Sequence, residues 1–170
     1  MTESLWNAVD NYLAAQILAD MGNAGSYTTL QLASVEKWAQ FDVVDFRDMT
    51  LPFGIVMSYR GDSEPAGHSG ESRLQTKESY TVAICVVCDG TKAAATADAK
   101  TLVWRLKKFL RGLRITDLSA DDGSKADRIV RGAGQMFTTQ IDLWAKPSSR
   151  NADSVYGTGV VGFAVSGTTT

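Results

Sequence analysis

At 170 residues, with 44% hydrophobic and 21% charged side chains, the chain has the size and composition of one ordinary globular domain; neither wholesale disorder nor a fibrous repeat is indicated. A formal net charge of -2 and a pI near 5.4 argue against a protein whose main business is coating nucleic acid, so any positive patch must be local. Two cysteines and one histidine leave little material for a metal centre or a disulfide scaffold. No apolar run approaches the ~20 residues that span a bilayer, and no basic stretch leads into an apolar core and cleavage site, so a soluble product made in the cytoplasm is expected, with no membrane partner.

In chain order, "TESLWNAVDNYLAAQILADMG" places Leu5, Val9, Tyr12, Leu13 and Ile17 on one side of a helix, with Asn7, Asp10 and Asn11 largely opposite. Thr2 or Ser4 suits its start and Gly22 its end. Residues 26–50 mix strand formers with a possible helical turn and stay ambiguous. "LPFGIVMSYRG" reads as an entering strand after Pro52. The stretch 61–72, with its glycines and no apolar side chain larger than alanine, is expected to be a mobile loop. "RLQTKESYTVAICVVCD" is extended, with Tyr80, Val82, Ile84, Val86 and Cys88 on one face, and an antiparallel hairpin is the simplest connection to the preceding strand.

"TKAAATADAKTLVWRLKKFLRGL" is the most regular stretch. At about 100° per residue, Ala95, Ala99, Leu102, Val103, Leu106, Phe109, Leu110 and Leu113 share one arc, and Lys100, Lys107, Lys108 and Arg111 the other. Asp89 or Thr91 suits its N-cap, and Gly112 lies near its end. Residues 117–128 read as a second polar loop. In "QMFTTQIDLWAK", Phe137, Thr139, Ile141 and Leu143 alternate with Met136, Thr138, Gln140 and Asp142, the pattern of a half-buried strand. "VYGTGVVGFAV" supplies a last, glycine-rich strand, and 166–170 is expected to fray. The fold class is α+β: a mainly antiparallel sheet with a long hairpin, packed against an N-terminal helix and a central amphipathic helix, in one domain over 1–170.

Cys85 and Cys88 have the spacing of zinc ligands and of redox pairs. Val86 and Val87 between them hold the segment extended, which points the thiols to opposite faces with Cα atoms about 10 Å apart, beyond the reach of a disulfide. Buried structural thiols are the expected reading. His68 sits among glycine and serine without an implied partner and reads as a solvated loop histidine. The tripeptide Arg60-Gly61-Asp62 is too short to carry weight. Trp104 falls at about 40° on the wheel, among Lys100, Lys107, Lys108 and Arg111, where a monomer is not expected to place an indole. Protein contact is one reading of it, and a solvated face with the indole under lysine stems is another. Nucleic acid ranks below both because the whole chain is acidic. No nucleophile elbow, phosphate-cradling loop, zinc-ligand motif or dinucleotide fingerprint is present, so no catalytic, cofactor or metal residue is assigned and no enzyme activity is expected.

The order of "TLPFGIVMSYRGD", a polar loop, "TKESYTVAICVVCDG", the helix "ATADAKTLVWRLKKFLRGL" and a late "MFTTQIDLW" strand resembles the tail terminator, or tail-completion, proteins of long-tailed bacteriophages. The glycine-rich strand at 155–166 and the segment 26–50 depart from the compact members. The resemblance implies a non-enzymatic virion protein, made in the host bacterial cytoplasm, that forms a ring, commonly of six copies, on the head-proximal end of the tail tube. There it stops tube polymerisation and joins the tail to the head. The implied partners are further copies of itself, the major tail tube protein and a head-completion or neck protein, with genomic DNA passing through the ring without sequence-specific binding. Candidate contact residues under that reading are Trp104, Lys100, Lys107, Lys108 and Arg111 on the helix, and Arg60, Asp62, Glu64, His68, Glu71 and Arg73 in and beside the first loop. The alternative is a non-viral small-ligand-binding or oligomeric accessory domain with its pocket between sheet and helices; a thiol enzyme using Cys85 and Cys88 ranks last.

Overall fold

The structure, a computed structural model, describes residues 5–57, 62–63, 76–113, 118–119, 125–130, 137–147 and 153–169. Helix α1 (Leu5–Met21) buries Val9, Leu13, Ile17 and Met21. Each step of four residues rotates the buried line by about 40°, so these side chains sweep across an arc of about 120°. Asp10, expected on the polar side, lies inside that arc between Ile17 and Met21 and is only 3% exposed. The sheet and the second helix both contact α1, which widens its buried side beyond the arc inferred from Leu5, Val9, Tyr12, Leu13 and Ile17. Gly22 N–H donates to Leu18 C=O at 2.9 Å and closes the last turn.

The ambiguous segment 26–50 resolves into strand β1 (Val35–Trp38) and a 3-10 helix (Val43–Asp48), whose N-cap Asp42 accepts a hydrogen bond from Val44 N–H at 3.0 Å. Then come β2 (Phe53–Met57), β3 (Asp62–Ser63), β4 (Thr76–Gly90), helix α2 (Lys92–Gly112), β5 (Leu118–Ser119), β6 (Lys125–Val130), β7 (Thr138–Ala145) and β8 (Val155–Thr169). They form one sheet of order β1-β2-β4-β8-β6-β5, with β3 also on β4 and β7 also on β8. Among the described strands only β1 and β2 pair in parallel, so the fold is α+β with a mainly antiparallel sheet. β2 and β4 are antiparallel neighbours, Ile55 opposite Cys85; most of the connection that would make them a hairpin lies outside the described residues.

β8 is the central strand. One edge runs along the whole of β4, from Gly90↔Val155 to Thr76↔Thr169, and the other is shared end to end by β7 and β6. Neither 61–72 nor 117–128 is loop throughout, because β3 lies in the first and β5 and the start of β6 lie in the second, and the tail is not frayed from 166, because β8 stays paired to Thr169. Sheet pairing satisfies backbone groups whatever the side chains are, so a polar segment with little alternation still adds a strand when a long neighbour offers its edge.

The sheet has two covered faces. Val82, Ile84, Val86 and Cys88 of β4 face α1 and α2, where Ala99, Leu102, Leu106, Leu110, Val161, Phe163 and Val165 complete the core. Cys85 and Val87 face the other way, with Phe53, Ile55, Met57 and Tyr156 beneath Phe46 of the 3-10 helix. Burial on both faces explains why β2 reads as a continuous apolar run rather than an alternation. Each such aliphatic or aromatic side chain stabilises the fold by about 1.5–3 kcal/mol relative to exposure. β7 is less buried than its alternation predicts. Phe137 is buried and Ile141 half-buried, but Thr139 is exposed and Leu143 is 41% exposed. Its best-packed residue on the opposite face is Trp144, tucked against the aromatic cluster with its indole N–H donating to Thr158 Oγ1 at 2.8 Å.

Candidate functional site

Thr91 caps α2, its Oγ1 accepting from Ala94 N–H at 3.2 Å, and Thr96 and Thr101 hydroxyls donate back to the carbonyls of Lys92 (2.7 Å) and Ala97 (3.0 Å). The inner side of the helix sits close on β8. A Cβ on Gly157 would approach the Ala95 carbonyl oxygen to 2.7 Å, and one on Gly159 would run into the Val103 side chain. Absence of side chains at these two positions lets the helix backbone approach the sheet, which also fixes its rotation.

That rotation decides what faces outward. Ala93, Ala97, Lys100, Trp104, Lys108 and Arg111 follow one another at spacings of three and four and are all exposed, forming a ridge along the helix. Trp104 is 57% exposed, and Lys108 Nζ lies 5.4 Å from its ring centroid. Lys107 is half-buried beside the ridge, and Phe109 and Leu113, expected in the core arc, are also half-buried at the helix end. The whole helix carries six cationic side chains and one carboxylate in a chain whose net charge is -2. A rigid helix face with a half-exposed indole between ammonium groups can bind an acidic, partly apolar surface.

The remaining sequence-predicted residues do not gather with it. Arg60, Glu64, His68, Glu71 and Arg73 lie outside the described residues. Asp62 belongs to β3, its backbone paired with Tyr80. Arg105, just outside the apolar arc of α2, is buried to 9% exposure and clamps the segment after α1. Its Nη1 donates to Thr29 C=O at 2.7 Å and Leu30 C=O at 3.4 Å, and the guanidinium lies 4.1 Å from the Tyr27 ring centroid. The only signal for this in the sequence is its position on the wheel, about 40° from Phe109 at the edge of the apolar arc. Beside it a groove of about 480 Å³ opens between the helix ends, with Asp20, Tyr27, Lys108 and Phe109 in its wall.

The cysteines stand as the extended geometry requires. Both are free and buried, Cys85 on the aromatic side and Cys88 on the α2 side. Burial, reinforced by the nearby carboxylates of Asp98 and Asp89, pushes the Cys88 thiol up to about 12, against a hydrogen bond to Gly157 that acts the other way. Burial raises Cys85 further still. A thiol kept protonated is neither a nucleophile nor a ligand near neutral pH. Among the described residues no group of three or more His, Cys, Asp or Glu side chains is placed to hold a metal ion, and no helix is long and apolar enough to cross a membrane.

No protein-family model and no curated protein matches the chain.

Proposed function

We propose that this chain is a structural virion protein of the tail-terminator kind, assembling as a ring on the head-proximal end of a phage tail tube and joining it to the neck. The observation that carries the reading is the α2 ridge: Trp104, 57% exposed between Lys100 and Lys108 on a helix locked to the sheet beneath it. Such a pre-organised aromatic and cationic face is the composition of an interface centre, where Trp and Arg are enriched and little ordering entropy is lost on docking. The resemblance in segment order supplies the assignment to this class. One side of the ring matches the last layer of the tube, while the other presents a surface that differs from that layer, which stops polymerisation.

Native mass spectrometry and electron microscopy of the purified chain, alone and with tail tubes of its phage, test the reading. Rings, and caps at one end of the tubes, are expected. A chain that stays monomeric and leaves tubes uncapped overturns it. The groove between the ends of α1 and α2 favours a second reading, a small-ligand-binding accessory domain, with Tyr27 and Phe109 offering apolar area and Lys108 a charge. A persistent monomer that retains a small molecule through native mass spectrometry selects that one.

A further inference from the structure

The ridge of α2 has a counterpart on the far side of the same sheet. There the 3-10 helix presents Asp42, Asp45 and Asp48 to solvent, with Val44 42% exposed among them, and Glu36 of β1 lies on the same face. Arg47 is the cation in this group, and its Nε donates to the carbonyl of Val44. Asp42 uses one oxygen as the cap; Asp45, Asp48 and Lys100 have no ion-pair partner among the described residues. One side of the molecule is therefore a basic ridge centred on an indole, and the opposite side an acidic shelf centred on an aliphatic side chain.

We infer that the α2 ridge of one copy docks on the acidic shelf around the 3-10 helix of the next copy. The inference rests on the ring reading above and specifies its subunit contact. Charge and apolar content match: Lys100 and Lys108 meet Asp45 and Asp48, and Trp104 meets Val44. The ridge from Ala93 to Arg111 is about 27 Å long, close to the width of a patch burying about 800 Å² a side. Because the two patches lie on opposite faces of one sheet, a pair of copies cannot satisfy both at once. The contact is heterologous, and it closes only as a ring or continues as a filament. Opposite charges across it also steer the encounter and disfavour ridge-to-ridge pairing.

Charge reversal tests this. Lys100→Glu with Lys108→Glu sets carboxylates on either side of Trp104 to face those of the shelf, and Asp45→Lys with Asp48→Lys sets ammonium groups beside Val44 to face those of the ridge. Each variant alone is expected to lose association by about 100-fold or more, since like charges then face each other. An equimolar mixture of the two is expected to recover oligomers with an even number of copies, because each reversed ridge meets the other variant's shelf in alternation. Native mass spectrometry reads the copy number, and circular dichroism melts verify folding. Should either variant fail to fold, the wild-type chain serves instead: its oligomer is expected to dissociate as salt rises from about 0.05 to 0.5 M, where the Debye length drops to a few ångströms. Variants that assemble like wild type, a mixture that recovers nothing, or a wild-type chain that is monomeric at low salt or salt-indifferent each overturn the contact. Recovered oligomers that ignore tail tubes uphold the contact and remove the terminator reading; wild-type caps on tubes that tolerate both reversals do the opposite.

Discussion

Arg105 joins the long helix to the chain that follows α1 through geometry that charge alone does not supply. Its planar fork reaches the carbonyls of Thr29 and Leu30 while its face covers Tyr27. Lysine keeps the charge and loses the fork. Arg105→Lys is expected to lower stability by about 1–3 kcal/mol, read as a lower Tm, with faster amide exchange around residues 27–30. The buried thiols give a pH dependence. In the unfolded chain Cys88 ionises near its ordinary 9.0, whereas the fold holds the proton to about 12. Above 9 the unfolded state binds fewer protons than the native state, so stability falls as pH rises through this window and is fully present below it. Denaturant titrations between pH 8 and 11 are expected to show that decline, less steeply in Cys88→Ala, and a thiol reagent at pH 8 is expected to label neither cysteine until denaturant is added. That the two sulfurs stand apart was legible in the two valines between them; that Arg105 is buried was not, because a lone cation at the edge of an apolar arc reads equally well as solvated.

Elements depend on one another through close approach. α2 rests on β8 at Gly157, so Gly157→Ala forces a methyl against the Ala95 carbonyl and is expected to cost about 1–3 kcal/mol as the helix lifts. On the other face the 3-10 helix is held by Phe46, whose ring packs edge-on against Phe53 and Tyr156 at centroid distances of 5.7 and 5.3 Å. Phe46→Ala is expected to destabilise by about 3–5 kcal/mol and to change the emission of neighbouring Trp38. α1, β4 and α2 were readable because each carries its own periodicity, and β2 because a short apolar run after Pro52 reads as a strand. β5, β6 and the end of β8 were not, because their place depends on the edge that the β4–β8 pair extends toward them.

At the scale of the whole molecule, the net charge of -2 conceals a division. The cations of α2 gather on one side of the sheet, and the exposed aspartates of the 3-10 helix lie on the other. If the proposed ring contact holds, Trp104→Ala separates folding from assembly: it is expected to change monomer stability by no more than about 0.5 kcal/mol and to weaken self-association, measured by sedimentation across a concentration series. The sequence by itself determined the amphipathic helices, the alternation of β4, the opposed thiols and the α+β class, because each is a local pattern in which side-chain spacing dictates the face. Only the tertiary structure decided that β8 is the centre of the sheet, that Asp10 and Arg105 are buried, and that a basic ridge and an acidic shelf stand back to back. Those facts depend on which backbone edges meet and on how closely a helix can settle on glycine, and neither is encoded within any one segment.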